Sequence, residues 1–257
     1  MLTLLIVESN PPALLDQGNA ASTAFVRSLL SFAPDAQLRI VAPQSEPLDT
    51  SVFAGIDGVI FTGSSSHWST DAPEATPLRH AMQSSFEVGV PVWGSCNGMQ
   101  LATVVLGGTI AHSPNGMEIG LARNLELTEE GAVHPMMAGR KNGFAVPCIH
   151  RDVVTRIPTG AKVLASNEHC EVQALTYNRD GVDFWGTQYH PELSVTDIAE
   201  AIARSGLFQG QSDAASDLQL AESDEEAARR VGTTVDAQRH EHRARELLNW
   251  LDHVRTR

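Results

Sequence analysis

The chain has 257 residues, of which 42% are hydrophobic and 19% are charged, a composition typical of a globular protein with a substantial core. Its net charge of −13 argues against nucleic acid or an anionic membrane surface as a partner, because both require a basic surface. No apolar run is long enough to cross a membrane, and the three cysteines lack paired spacing, which argues against a disulfide framework and for a cytoplasmic location.

Apolar runs alternate with helical patterns along the first part of the chain, which predicts an open, mostly parallel sheet with helices on both faces. The first run, residues 2–7, lacks a basic region before it, so it is predicted to be a strand and not a signal peptide. The elements expected next are a helix at 19–31, strands at 38–41 and 58–62, a helix at 75–88 and a strand at 92–95.

Shorter apolar runs follow two adjacent glycines at 107 and 108 and predict an antiparallel excursion from the parallel sheet. The expected strands lie at 120–127, 162–165, 172–177 and 183–188. A helix is expected at 194–205, because Ser194 precedes Asp197 by three residues in a capping pattern.

Residues 207–257 are predicted to form a linker and C-terminal helices outside a first domain at residues 1–206. The composition around residues 206–216 is small and polar, as in a linker. Beyond it, residues 223–226 form a capping box, and residues 235–254 carry an apolar stripe at helical spacing. That stripe is expected to dock on the main domain or on a second copy of the chain in a homo-oligomer.

The segment at residues 91–100 is the most informative part of the sequence. Its apolar strand ends in Gly-Ser-Cys-Asn-Gly, and a helix-forming run follows at once. Glycines flank the cysteine because a strained turn leaves little room for a Cβ atom. The turn would place Cys96 at the tip of a strand and at a helix N-terminus, which favours the thiolate. We therefore predict that Cys96 is a nucleophile.

A base for this thiol is predicted in the sequence His190-Pro191-Glu192, which follows an apolar strand. His190 is expected to take the thiol proton, and Glu192 to orient the imidazole through its other ring nitrogen. Together with Cys96, these residues give the nucleophile, base and orienting acid of a catalytic triad.

These two motifs resemble those of the class I glutamine amidotransferases, whose nucleophile turn reads Gly-x-Cys-x-Gly-x-Gln and whose second signature is a strand followed by His-Pro-Glu. The resemblance covers roughly residues 1–206. It implies a flavodoxin-like α/β fold and a Cys-His-Glu triad made of Cys96, His190 and Glu192. No cofactor is expected, and the spacing of cysteines and histidines matches no zinc pattern.

The same resemblance implies roles for five further residues. The backbone amide of Asn97 and that of Gly63 or Ser64 would form the oxyanion hole, and Gln100 would lie near the bound glutamine. His150 belongs to a segment that usually reads Ser-His-Gly-Asp in the GMP synthase group and carries an arginine at the glycine position here. We assign His150 to substrate binding, with an ordinary polar loop residue as the alternative.

The leading hypothesis is a glutamine amidotransferase that hydrolyses the γ-amide of glutamine through a cysteine thioester. The chain has no Gly-x-x-x-x-Gly-Lys-Ser/Thr loop for ATP, so ammonia would pass to a separately encoded synthetase subunit. The alternative is a γ-glutamyl peptidase or hydrolase that uses the same thioester but releases an amine or peptide. Two further hypotheses are a non-catalytic binding subunit that kept the fold and a cysteine hydrolase acting on unrelated substrates.

Overall fold

The computed structural model describes residues 1–205 and 212–257 of the chain. The strands in this part are β1 Thr3–Val7, β2 Gln37–Val41, β3 Gly58–Phe61, β4 Val92–Ser95, β5 Thr109–His112, β6 Glu118–Leu127, β7 Phe144–His150, β8 Asp152–Arg156, β9 Lys162–Ser166, β10 Ala174–Arg179 and β11 Val182–Thr187. The helices are α1 Pro12–Leu15, α2 Ser22–Phe32, α3 Thr76–Val88, α4 Asn97–Val105, α5 Glu129–Val133, α6 Val195–Ser205, α7 Ser212–Leu220, α8 Glu225–Val231, α9 Val235–Gln238, α10 His240–Arg243 and α11 Arg245–Arg255.

A nine-stranded sheet with the order β2-β1-β3-β4-β11-β10-β9-β6-β7 forms the centre of the molecule. The pairs from β2 to β11 are parallel, and the pairs from β11 to β7 are antiparallel. The predicted open sheet of a flavodoxin-like fold is therefore confirmed, with the antiparallel excursion as an extension of the same sheet. β5 and β8 form a separate antiparallel pair.

The sheet separates two apolar cores because successive side chains of a buried strand point to opposite faces. Leu5 and Val7 of β1 pack in one core with α3 and α4, whereas Leu4 and Ile6 pack in the other with α2 and α11. This alternation explains why the last four residues of β1, Leu4 to Val7, are all apolar, and it places helices on both faces of the sheet.

The C-terminal helix α11 lies against the main sheet. Trp250 is fully buried, and its ring centroid lies 6.3 Å from that of Trp93 in β4. Leu247, Leu251 and Val254 belong to the same apolar core as Leu4 of β1. The apolar stripe predicted from the sequence thus packs within its own chain. The predicted domain division at 206/207 lies outside the described residues and stays a prediction.

The structure corrects several predicted elements at the C-terminal end. The single helix expected at residues 235–254 is wrong, because Arg239 has an extended backbone with ψ 141° and separates α9 from α10. The linker expected up to residue 216 is also wrong from residue 212 onward, where α7 begins. The cap of α8 is Asp224, whose side chain accepts from the Ala227 amide, rather than Ser223. The capping pair of Ser194 and Asp197 is confirmed.

The strands β5, β7 and β8 were not predicted. β7 contains Pro147 and ends at His150, and β8 begins with the charged Asp152, so neither shows a clean alternation of apolar and polar residues. These strands bring a buried polar segment, residues 148–152, beside the end of β4. Among the described helices, none is both long and apolar enough to span a membrane.

Candidate active site

Cys96 occupies a strained turn between β4 and α4. Its backbone has φ 49° and ψ −101°, a conformation that costs a residue with a side chain on the order of 1–3 kcal/mol. The amide of Cys96 donates a 2.7 Å hydrogen bond to the carbonyl of Thr187 at the end of β11, which holds the turn in place. The thiol points toward the carbonyl of Ile149, with Sγ 3.8 Å from that oxygen.

Close approaches of the chain require the two glycines that flank this turn. A Cβ atom on Gly94 would lie 2.6 Å from the carbonyl carbon of Gly98, and one on Gly98 would lie 2.5 Å from the carbonyl oxygen of Phe61. Any larger residue would push α4 away from the ends of β3 and β4. The Gly-x-Cys-x-Gly pattern is therefore a steric requirement of the turn.

His190 and Glu192 form a buried pair beyond the end of β11, the strand next to β4. The Nδ1 atom of His190 lies 2.7 Å from Oε1 of Glu192, and because a carboxylate only accepts, Nδ1 is the donor. The backbone amide of His190 donates to Pro147 at 2.8 Å. The ring nitrogen Nε2 is buried and has no hydrogen-bond partner among the described residues.

The charge on His190 is set by its neighbours. Burial lowers the pKa of His190, but the charge of Glu192 and contact with Cys96 outweigh it and raise the pKa to about 10. The imidazole therefore carries a proton at neutral pH, and the Cys96 side chain lies near enough to contribute to this rise. The structure thus brings together the three residues predicted as a triad.

Ser95 also belongs to the site, although the sequence did not predict a role for it. Its hydroxyl is fully buried and donates to Oε2 of Glu192 at 2.9 Å, while it accepts from Nε1 of Trp93 at 3.0 Å. Both oxygens of Glu192 are thus engaged, one by His190 and one by Ser95. The variable position before the cysteine could have signalled this role, since a buried serine needs a hydrogen-bond partner.

The residues predicted for the oxyanion hole lie around the same point. A Cβ atom on Gly63 would lie 2.7 Å from Cε1 of His190, so the loop after β3 touches the imidazole. Ser64 is fixed there through its hydroxyl, which donates to Oδ1 of Asn10 at 3.1 Å. The backbone N–H groups of Gly63, Ser64 and Asn97 make no hydrogen bond within the described part of the chain.

Gln100 lies one turn of α4 after Cys96 and is buried. Its amide nitrogen donates to the Asp152 carbonyl at 2.8 Å and to Oε1 of Gln188 at 3.1 Å. The side-chain oxygen of Gln100 has no hydrogen bond among the described residues. Gln100 lies in the first turn of α4, which begins directly after Cys96.

His150 is engaged by protein atoms on both ring nitrogens. Nε2 lies 2.8 Å from Oε2 of Glu118, and Nδ1 lies 3.2 Å from the Asp152 carbonyl. Glu118 also accepts from Asn167 and Gln173. Burial raises the pKa of Glu118, but the hydrogen bonds from His150 and Asn167 outweigh burial and leave the pKa below its ordinary value, so the carboxyl stays charged. His150 thus takes part in a polar network under the site.

Arg151 joins the segment after β7 to the loop after β3. Its guanidinium donates to the carbonyl of His67 at 2.8 Å, to the Ser69 hydroxyl at 3.3 Å and to Oδ1 of Asp152 at 2.9 Å. Burial raises the pKa of Asp152, but the hydrogen bonds from Arg151, Ser69 and His112 bring it down to about 2. The two loops that flank the thiol are therefore connected by a charged contact.

The described residues contain no group of three or more His, Cys, Asp or Glu side chains placed to hold a metal ion. Cys148 and Cys170 are buried free thiols. Burial raises the pKa of Cys170 to about 12 and that of Cys148 well above its usual range, so both remain protonated.

Comparison with known proteins agrees with this geometry. A sequence model of the family described as glutamine amidotransferase class-I matches residues 13–209. A gamma-glutamyl-L-1-hydroxyisopropylamide hydrolase from Pseudomonas sp is 35% identical over 256 residues, covering 92% of this chain and 86% of that protein. A glutamine-hydrolyzing GMP synthase from Symbiobacterium thermophilum is 35% identical over 167 residues, covering 65% of this chain and 30% of that enzyme.

Solved structures show the same fold. A glutamine amidotransferase from Thermotoga maritima has a TM-score of 0.69 and 16% identity, covering 98% of this chain and 97% of its own. A putative GMP synthase subunit from Thermoplasma acidophilum has a TM-score of 0.58 and 20% identity, covering 75% of this chain and 85% of its own. At these identities the likeness extends to the architecture alone.

Proposed function

We propose that this chain, which belongs to the class I glutamine amidotransferase family, hydrolyses the γ-amide bond of a γ-glutamyl compound through a thioester on Cys96. The observation that carries the proposal is the strained turn at Cys96 beside the buried pair of His190 and Glu192. A cysteine held with positive φ between a strand and a helix, next to a charged imidazole, is the arrangement that nucleophilic catalysis requires.

In the first step, the Cys96 thiolate adds to the amide carbon, and the carbonyl oxygen takes up the electron pair as an oxyanion. The free N–H of Asn97 and that of Gly63 or Ser64 stabilise this oxyanion. One such donor contributes on the order of a hundred- to a thousandfold in rate in a comparable hydrolase. Support for these donors is that their backbone amides have no other partner in the described structure.

In the second step, protonated His190 gives its Nε2 proton to the leaving nitrogen as the carbon–nitrogen bond breaks. Ammonia or an amine departs, and the γ-glutamyl thioester remains on Cys96. The neutral imidazole then takes a proton from water, the hydroxide adds to the thioester, and the thiolate leaves with glutamate as product. Glu192 keeps Nδ1 facing away from the sulfur throughout, and Ser95 fixes the carboxylate.

The γ-glutamyl part of the substrate carries an α-ammonium group that needs an acceptor. We assign this role to the side-chain oxygen of Gln100, because Gln100 lies in the first turn of α4, directly after Cys96, and this oxygen lacks a partner among the described residues. His150 acts indirectly, by holding the Asp152 carbonyl that also accepts from Gln100. A binding role for His150 through its own ring nitrogens is disfavoured, since both are occupied.

The leaving group we favour is an alkylamine or amino alcohol. The supporting observation is the relative named gamma-glutamyl-L-1-hydroxyisopropylamide hydrolase, which this chain matches over 86% of that protein's length. The GMP synthase from Symbiobacterium thermophilum is matched over 30% of its length, so its complete activity does not transfer to this chain. It supports a second candidate, in which glutamine is hydrolysed and ammonia passes to a synthetase subunit in trans.

Steady-state kinetics on two substrates separates these candidates. We expect kcat/KM for γ-glutamyl-isopropylamide to exceed that for glutamine at least about tenfold, which corresponds to roughly 1.4 kcal/mol of transition-state binding. The Cys96→Ala variant should be inactive on both. Preference for glutamine, with turnover rising when a candidate synthetase is added, would instead establish the second function.

The reaction also needs a reduced nucleophile. Three cysteines are free in the structure, and Cys96 is one of them. We therefore place the protein in the cytosol, where thiols are kept reduced. Retention in a cytosolic fraction, measured by immunoblotting of the fractionated source cells, tests this assignment.

A further inference from the structure

We propose that the C-terminal segment, residues 225–257, positions His190 in the active site, because Glu246 and Arg243 fix the turn that carries His190. The inference rests on the proposed function, which gives His190 its task. It assigns a role to a segment that lies beyond the family match at residues 13–209. Glu246 and Tyr189 are positioning residues in this scheme, acting on catalysis through His190.

The first contact joins α11 to the residue directly before His190. The hydroxyl of Tyr189 donates to Oε1 of Glu246 at 2.9 Å, and both side chains are 0% exposed. Burial raises the pKa of Tyr189 well above its usual range, so the phenol stays a donor. Fixing the Tyr189 side chain restrains the backbone at His190 and leaves the imidazole free to face Cys96.

Glu246 is itself held by a two-pronged ion pair. Nε and one terminal nitrogen of Arg140 donate to its two oxygens at 2.8 and 2.7 Å, and the guanidinium lies 4.7 Å from the ring centroid of Phe144. Phe144 in turn meets Tyr189 edge-on at 6.2 Å. Burial lowers the pKa of Arg140, but the charge of Glu246 outweighs it and the pKa is raised, so the pair stays ionised.

The second contact lies on the other side of His190. Nε of Arg243 donates to the carbonyl of Leu193 at 2.8 Å, and the amide of Leu193 donates to the carbonyl of His190 at 3.2 Å. Arg140 also donates to the carbonyl of Arg243 at 2.8 Å, which links the two contacts. The turn from 189 to 193 is therefore held at both ends by the C-terminal segment.

The residues just before His190 also hold the turn at Cys96. The hydroxyl of Thr187 donates to the carbonyl of Tyr189 at 2.8 Å, and the carbonyl of Thr187 accepts from the Cys96 amide at 2.7 Å. A displacement of Tyr189 would therefore shift both Cys96 and His190.

The alignment with one relative extends into this segment. The γ-glutamyl amide hydrolase from Pseudomonas sp covers 92% of this chain, so its match reaches into residues 225–257, whereas the GMP synthase match covers 65%. We infer that the hydrogen bonds of this segment stabilise the catalytic geometry.

The test is the Tyr189→Phe variant, which removes one hydroxyl and leaves the pair of Arg140 and Glu246 intact. We expect kcat for γ-glutamyl-isopropylamide to fall about tenfold while KM changes less than about twofold, because the substrate contacts remain and the imidazole is misplaced by a fraction of an ångström. The alkaline limb of the kcat profile should shift to lower pH, since a looser contact with Glu192 raises the pKa of His190 less.

The chain offers a matched control in Tyr177→Phe, the other of its two tyrosines, a half-buried residue of β10. This variant should keep the wild-type kcat and pH profile. Glu246→Gln, which keeps an acceptor for Tyr189 but loses the charge, should give a smaller loss in kcat than Glu246→Ala. Wild-type kcat and an unshifted profile in a folded Tyr189→Phe protein would overturn the proposal.

A readout without substrate keeps this test separate from the proposed function. The rate at which iodoacetamide alkylates Cys96, followed by peptide mass mapping across pH, reports the thiolate paired with His190. We expect Tyr189→Phe to change this pH profile and Tyr177→Phe to leave it unchanged. If wild-type protein hydrolyses no γ-glutamyl compound but the alkylation profile still shifts, the proposed function fails and the positioning role of the C-terminal segment stands.

Discussion

The backbone at Cys96 combines strain with support. A positive φ at a residue with a side chain is unfavourable, and the hydrogen bond from its amide to Thr187 makes the conformation persist. The turn directs the sulfur toward the carbonyl of Ile149, 3.8 Å away. A strained conformation of this kind persists in a folded protein where the position of the side chain serves a function that outweighs the loss of stability.

Ser95→Ala tests the second contact to Glu192. The variant removes the hydroxyl that donates to Oε2, so the carboxylate can rotate away from His190. We expect kcat to fall about tenfold, since a hydrogen bond to a charged group contributes about 1.5–3 kcal/mol and part of this is recovered by rearrangement. Steady-state kinetics on the γ-glutamyl substrate measures the effect.

Ser85→Ala is the matched control for this variant. Ser85 is also fully buried, and its hydroxyl bonds the Ala81 carbonyl within α3 at 2.8 Å. Ser85→Ala should keep the wild-type kcat, and only Ser95→Ala should lose activity. Equal kcat values for the two variants would show that Ser95 has no role in orienting Glu192.

Gly63→Ala tests the approach of the oxyanion loop to the imidazole. The added Cβ would lie 2.7 Å from Cε1 of His190, so either the ring or the loop must shift. We expect a loss of about a hundredfold in kcat/KM, the size seen when an oxyanion donor is misplaced. A near-normal melting temperature with this loss would locate the damage at the site, whereas full activity would exclude the loop from it.

The grouping of Cys96, His190 and Glu192 could be predicted from the sequence because its signals are local, while their catalytic roles stay a prediction. Residues 94–100 carry the turn, and His190 and Glu192 are two positions apart. The contacts that support the triad were not predictable, because Ser95 meets Glu192 and Tyr189 meets Glu246 across 97 and 57 residues of chain. A single sequence gives the identity of such buried polar residues but not their partners.

Among the elements, the parallel half of the sheet followed from sequence most closely. The strand before Cys96 was predicted with the observed bounds, Val92–Ser95, because a buried strand bounded by Pro91 and the turn has a strong signal. The strands β7 and β8 were missed because Pro147 and Asp152 disturb their apolar patterns. The segment from 235 to 254 has helical spacing throughout, yet the hydrogen bonds of the Arg243 side chain favour a break.

The contact between α10 and α2 predicts how the C-terminal segment responds to acid. His240 stacks on Phe32 at 4.3 Å, and its ring nitrogens lie 2.8 and 3.0 Å from the hydroxyls of Ser28 and Ser31. Burial lowers the pKa of His240 to about 4, with the positive charges of Arg243 and Arg27 adding to the effect. The folded protein therefore resists protonation that the unfolded chain accepts near pH 6.5.

The lowered pKa of His240 fixes the direction in which stability changes with pH. The stability contributed by neutral His240 is fully present above the unfolded pKa of 6.5 and is lost as pH falls toward about 4. We expect the free energy of unfolding of wild type to fall more steeply between these values than that of His240→Gln, measured by urea titration at each pH. Parallel slopes for the two proteins would contradict the assignment.

At the scale of the whole molecule, the C-terminal segment and the sheet share one core. Trp250 of α11 packs against Trp93, which belongs to the strand that leads to Cys96. A shared core predicts a single cooperative unfolding transition rather than early loss of the C-terminal helices. Tryptophan fluorescence and far-ultraviolet circular dichroism should therefore give coincident midpoints in urea.

The Trp250→Ala variant tests the prediction of a single unfolding transition quantitatively. The cavity left beside Trp93 should lower the free energy of unfolding by about 3–5 kcal/mol and keep the transition single. A helical signal lost at lower urea than the tryptophan signal would show that the segment unfolds independently. Such behaviour would also weaken the claim that it supports His190.

Covalent labelling tests the central claim most directly. A diazoketone analogue of glutamine should be attacked by the thiolate, and peptide mass mapping should find one added equivalent on Cys96 and none on buried Cys148 or Cys170. Excess γ-glutamyl substrate should protect Cys96, and His190→Ala should slow the labelling. Equal labelling of Cys96→Ala and wild type, or modification of other residues alone, would contradict the assignment of Cys96 as the nucleophile.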